Sequence, residues 1–124
     1  MAAPNIVNVA TITGKTDQVN LTTTSATAVV SNAASSGKVF KVNSLTVANV
    51  DGSAAADITI SVYSEDDIGG TATELVSTIT VPADATLVVI DKNNSIYLEE
   101  DMSIGATAGT ANDLKVIVSY EEIS

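Results

Sequence analysis

From Val39 to Glu121 short apolar runs are separated by Asp, Asn, Gly, Ser and Pro at intervals of roughly ten residues, the spacing of an all-β sandwich or barrel. The clearest run is Asp57 to Tyr63, where Ile58, Ile60 and Val62 alternate with Thr59, Ser61 and Tyr63. That period of two predicts a strand with one buried and one wet face. Asp113 to Glu121 repeats the pattern, with Leu114, Val116, Val118 and Tyr120 predicted inward and Lys115, Ile117 and Ser119 outward. Val39 to Val50, Glu74 to Val81, Thr86 to Ile90, Ser95 to Glu99 and Met102 to Thr107 are rich in β-branched residues, which fit a pleated, half-buried surface. The expectation is an antiparallel β-sandwich, jelly-roll or immunoglobulin-like, of about seven to nine strands.

The turn chemistry agrees. Asp51-Gly52 ends the first long run, Asp67-Ile68-Gly69-Gly70 supplies a flexible connection, and Ala108 to Asp113 separates the last two strands. Pro82-Ala83-Asp84 stops the strand containing Ile79 and Val81, because proline cannot donate to a ladder. Helical periodicity is absent apart from a short turn expected near Asp66.

Residues 1–37 differ, being dominated by Thr, Ser, Ala and Asn. Within them Ile6 to Ile12 and Ala26 to Val30 read as weak strands, with Val7, Val9 and Thr11 or Ala28 and Val30 facing in. Two readings follow. Both strands join the sandwich formed by residues 38–124, making one domain, or the amino-terminal stretch is an assembly arm. In the arm, Ile6, Val7, Val9 and Ile12 add a strand to a neighbouring subunit through main-chain hydrogen bonds.

Composition narrows the chemistry. The 124 residues carry 5 Lys+Arg against 15 Asp+Glu, a formal net charge of -10, with no His, Cys or Trp. A phosphate backbone or an anionic membrane surface is repelled by such a chain, so neither nucleic acid nor membrane is expected as a partner. Without His or Cys there is no Ser-His-Asp triad, cysteine nucleophile, zinc-thiolate site or disulfide. The densest apolar run, Leu87-Val88-Val89-Ile90, falls far short of the ~20 residues that span a bilayer. The start, Met1-Ala2-Ala3-Pro4-Asn5, has no basic region followed by an apolar run, so synthesis in the cytoplasm is expected.

Three acidic clusters remain as candidate chemistry: Glu65-Asp66-Asp67, Glu99-Glu100-Asp101 and Glu121-Glu122. Their spacing matches no Ca²⁺-binding loop, and solvated carboxylates are the preferred reading. A carboxylate pair for glycoside cleavage would need a sugar cleft with aromatic platforms. Phe40, Tyr63, Tyr97 and Tyr120 are the only aromatic residues, and each falls in a predicted strand, where core or half-buried packing is expected. Gly69-Gly70 lacks the Gly-Lys-Ser/Thr of a phosphate loop. Neither enzyme activity, nor a metal, nor a cofactor is expected. A thin core of this kind favours stabilisation by subunit contacts.

The order of elements resembles a known group. Lys41 to Gly52, the Ile58 to Tyr63 strand, Ile79-Thr80-Val81-Pro82-Ala83, Ile96 to Asp101, and Val116 to Ser119 followed by Glu121-Glu122-Ile123-Ser124 resemble small β-sandwich virion proteins of tailed bacteriophages, particularly marine cyanobacterial phages. The resemblance spans residues 38–124, and Glu100 stands where that group often has glycine. It implies a virion structural protein, foremost a capsid decoration protein on the outer head surface. A neck, tail or fibre component is the alternative, and a carbohydrate-binding adhesin is weakened by the few aromatics. The implied partners are the major capsid protein or other virion subunits, together with further copies of the chain, a trimer being favoured.

Overall fold

The computed structural model describes residues 8–124. Within them lie nine strands: β1 (Ile12–Asn20), β2 (Thr27–Asn32), β3 (Val39–Asn49), β4 (Ala56–Tyr63), β5 (Ala72–Val81), β6 (Thr86–Ile90), β7 (Ile96–Leu98), β8 (Met102–Ala108) and β9 (Leu114–Ile123). They pair as a nested hairpin whose tip is the β4–β5 connection. β1 pairs with β9, β2 with β8, β3 with β6 and β7, and β4 with β5, all antiparallel.

This long ribbon is rolled into two sheets. Sheet A has the order β1-β9-β3-β6 with β7 also on β3, and sheet B has the order β2-β8-β4-β5. The chain passes between the sheets along much of its length, so each apolar face is closed by the sheet opposite. The connectivity is that of a jelly roll, the first of the two sandwich types expected.

The core follows the alternation. Ile58, Ile60, Leu114, Val116, Val118 and Tyr120 are all buried, as are Leu45, Val47, Ile104 and Leu98 from the facing strands. In β3 the inward positions change parity, from Phe40 and Val42 to Leu45 and Val47, because Asn43 is an extra residue bulged against β9. A bulge in β2 likewise buries both Val29 and Val30, where alternation had Ala28 and Val30 inward. Phe40 and Tyr120 stack across the sheet with ring centroids 5.1 Å apart. Tyr97 departs from expectation: it sits on the outer side of short β7 and is 48% exposed.

Two buried asparagines tie the sheets together. Asn32 Nδ2 of β2 donates to the carbonyls of Lys38 (2.9 Å) and of Leu98 in β7 (3.1 Å). Asn49 Nδ2 of β3 donates to the carbonyls of Ala54 and of Val81 in β5, both at 2.9 Å. Each buried amide thereby finds main-chain acceptors for its own donor where the strands leave the sandwich.

The segment expected to carry a helical turn, near Asp66, is a non-helical turn. The short 3₁₀ turn lies instead at Lys92–Asn94, capped by Asp91, whose Oδ1 accepts from Asn93 N at 2.9 Å. Residues 12–37 provide both β1 and β2, each the terminal strand of its sheet.

Candidate assembly surfaces

The two outer faces of the sandwich differ in chemistry. All five lysines belong to sheet A or to segments flanking its strands: Lys15 in β1, Lys38 just before β3, Lys41 in β3, Lys92 between β6 and β7, and Lys115 in β9. Sheet B and its β4–β5 loop carry Asp57, Glu65, Asp66, Asp67 and Glu74 with no lysine. Sheet A and its flanks also carry Asp17, Asp91, Asp113, Glu121 and Glu122, so its charges are mixed where those of sheet B are acidic.

The outer face of sheet B is partly roofed by the β4–β5 loop. Ile68 N donates to Ser103 Oγ at 2.8 Å, Asp67 N to Ser31 Oγ at 2.8 Å, and Ser103 Oγ to Glu65 O at 2.8 Å. Asp101 Oδ1 accepts from Asp66 N and Asp66 Oδ2 from Ala34 N, both at 3.2 Å, while Glu100 Oε2 accepts from Gly37 N at 2.9 Å. Acidic residues read as solvated from sequence thus serve as main-chain acceptors that hold loops down. No grouping of three or more His, Cys, Asp or Glu suited to a metal occurs among the described residues.

Sheet A presents an outer face that includes the small polar residues Thr16, Ser44, Thr46 and Ser119. Across it runs one register row, Val88–Thr46–Ile117–Gln18. Val88 and Ile117 in that row are 56% and 47% exposed. A shallow polar depression of about 660 Å³ opens beside the Asn43 bulge. Lys41 and Lys92 line it, but so do Asp91 and Glu121, so it selects neither charge.

At one end of sheet A, β1 is fastened by charge. Glu122 receives Lys15 Nζ on Oε2 and Lys38 Nζ on Oε1, each at 2.9 Å. The hydrogen bond from Lys15, reinforced by Lys38, holds the Glu122 carboxyl below its ordinary pKa, and Lys15 is raised by the same contact. Next to it Tyr120 Oη donates to Asp17 Oδ2 at 2.8 Å. Burial, with Asp17 and Glu122 adding to it, pushes the Tyr120 phenol upward.

Of the four residues proposed as an arm, Ile6 and Val7 lie outside the described residues. Val9 is half-buried, and Ile12 opens β1, opposite Ile123 of its own chain and 56% exposed. Sequence reasoning missed the stretch Thr13 to Asn20 as a strand, as well as the roles of Ser103, Asn32 and Asn49. Ser103 and Gly105 alternate with Ile104 and Ala106 in β8, and small outward residues in a central strand are a readable sign that something packs on them.

No protein-family model matches the chain, and no curated protein matches it by sequence. Solved structures do share its fold. A subunit of Bacillus endospore appendages, described as disulfide-linked pili, aligns with a TM-score of 0.54 at 16% identity, over 92% of this chain and 88% of that one. A chain from the acid-stable capsid of Helicobacter pylori bacteriophage KHP30 aligns with a TM-score of 0.51 at 11% identity, over 94% and 90% respectively. A chain from the cyanophage Pam1 capsid spans 99% of this chain at 19% identity, but its TM-score of 0.36 is too low to indicate a common fold. The first two share the two-sheet fold that the strand order defines here as a jelly roll.

Proposed function

We propose that the chain is a non-enzymatic structural subunit of a phage particle, in its most concrete form a decoration protein seated on the outer surface of the head. The observation that carries this reading is the match in extent. The jelly roll takes up nearly the whole described chain, and 90% of the phage KHP30 capsid chain aligns with it, so the shared unit is the whole two-sheet sandwich. The phage resemblance of residues 38–124 points the same way. In this reading the outer face of sheet A, with Val88 and Ile117, lies against the major capsid protein, and the acidic sheet B side faces outward, where net negative charge resists nonspecific adhesion. Residues preceding β1, among them Ile6, Val7 and Val9, add an arm to a neighbouring subunit. The protein is made in the host cytoplasm and resides in the virion.

The likeness to the endospore appendage subunit favours a second reading, a unit of a filament or of a neck, tail or fibre. With no cysteine, such a filament would be held without disulfides. Mixing purified protein with capsids that lack it separates the two. Saturable co-sedimentation with the shell is expected, whereas self-assembly into filaments without shell binding would favour the second reading.

A further inference from the structure

The open edge of β1 is self-complementary, and we propose that two copies of the chain pair through it as a two-fold dimer centred on Thr16. Among the described residues no strand pairs with that edge. The other terminal strands are blunted. β2 is bulged between Ala28 and Val30, β5 carries two register shifts with Thr78 in the left-handed region (φ 49), and β6 spans only five residues. Bulges and short length are the usual protection against edge-to-edge pairing. β1 has nine residues in unbroken register with β9.

The hydrogen-bond parity fixes which groups the edge offers. Thr11 and Ser124 exchange both main-chain bonds at 2.9 Å, and Leu21 N donates to Leu114 O at 3.0 Å. In an antiparallel ladder such pairs alternate along the strand. Thr13, Lys15, Asp17 and Val19 therefore turn their N–H and C=O toward β9, while Gly14, Thr16 and Gln18 turn theirs toward the open edge. A partner strand running antiparallel and centred on Thr16 sets Thr16 opposite Thr16 and Gly14 opposite Gln18 as hydrogen-bonded pairs. Between them Lys15 falls opposite Asp17 and Asp17 opposite Lys15, in the non-hydrogen-bonded positions where side chains come closest. The contact is isologous: Lys15, which also bonds Glu122 of its own chain, and Asp17, which also accepts from Tyr120, each fall opposite the other residue of the second copy.

The pairing joins two A sheets into one continuous sheet. It differs in symmetry from the trimer that the phage resemblance implies, and it stands independently of the virion reading.

Because the chain has no cysteine, single substitutions report the register directly. Thr16→Cys places two cysteines about 5.5 Å apart between Cα atoms, within disulfide reach. Gln18→Cys sets them four residues out of register. Under mild oxidation of the full-length protein, Thr16→Cys should form a covalent dimer at least about tenfold faster than Gln18→Cys, and equal rates overturn the proposal. Independently, Lys15→Glu and Asp17→Lys should each weaken self-association about tenfold or more in sedimentation, since two pairs become repulsive; as each also removes an own-chain bond of β1, amide exchange in residues 12–20 must first show that β1 stays folded in both variants. An equimolar mixture of the two variants should dimerise again, because its pairs are attractive and only folded β1 strands can restore the contact. A mixture no better than either variant alone overturns the Thr16-centred register, as does a wild-type chain that sediments as a strict monomer or as a trimer.

Discussion

Ile68 rests directly on Gly105: a Cβ at position 105 would stand 2.8 Å from Ile68 Cγ2, closer than side chains approach. Ile68 also has a φ of 54, costly for a β-branched residue, and its N–H is held by Ser103. The loop is thus kept over sheet B by a glycine beneath it and a hydroxyl beside it. Gly105→Ala should destabilise the fold by about 1–3 kcal/mol through overpacking. It should also open residues 64–71 to proteolysis, and thermal unfolding with limited digestion checks both effects. An unchanged melting temperature with a protected loop would show that the loop does not depend on Gly105.

The buried amide of Asn32 donates to two carbonyls, so Asn32→Leu should cost about 2–4 kcal/mol by removing both bonds. The same holds for Asn49→Leu at its own end of the sandwich. Urea unfolding measures each loss. The two substitutions should add, because they serve different carbonyls on different strands.

Acid should loosen β1 before the rest of the sandwich. Glu122 has its pKa lowered below 4.5 in the folded protein, so the stabilisation it gives is present above the unfolded value and is lost as pH falls through the folded one. Amide exchange in residues 12–20 should therefore accelerate below about pH 4.5 while that of β3 stays slow. Glu122→Gln should exchange rapidly in β1 already at neutral pH and lose the acid response. At the alkaline end Tyr120 adds the opposite trend: its raised phenol stabilises the fold below its ordinary pKa of 10.0, and this is lost as pH climbs beyond it.

How much of this was legible in the sequence depends on where each strand draws its stability. β4 and β9 announce themselves, since Ile58, Ile60, Val116 and Val118 bury one face of each and a period of two is the direct trace of that burial. β1 leaves no such trace. Gly14-Lys15-Thr16-Asp17-Gln18 has no apolar residue, because the strand is held by its main-chain ladder to β9 and by the Lys15–Glu122 and Asp17–Tyr120 contacts. A reading based on apolar alternation therefore ended the first strand at Ile12, where the structure begins it. The asparagine ties were hidden for a related reason. Asn32 and Asn49 look like turn residues, and only the sheet order reveals that each reaches a strand of the opposite sheet.

If the outer face of sheet A meets the capsid, Val88→Asp and Ile117→Asp should reduce co-sedimentation with capsids at least about tenfold, as charges set in a contact core do. Both positions are exposed, so stability should change by no more than about 0.5 kcal/mol. Leu75→Asp on sheet B is the matched control and should bind as the wild type does. Removing residues 1–9 should also weaken binding with an unchanged melting temperature, since Ala10 and Thr11 retain their bonds to Ser124. If that deletion unfolds the domain instead, the preceding residues belong to the sandwich and not to an arm.

The most direct test of a virion role is cryo-electron microscopy of the intact particles whose genome encodes this chain. The account predicts that the two-sheet jelly roll will be found in many symmetry-related copies over the outer shell, with Val88 and Ile117 toward the capsid protein and the β4–β5 loop toward solvent. Particles complete in every other component but without density for this domain would contradict it.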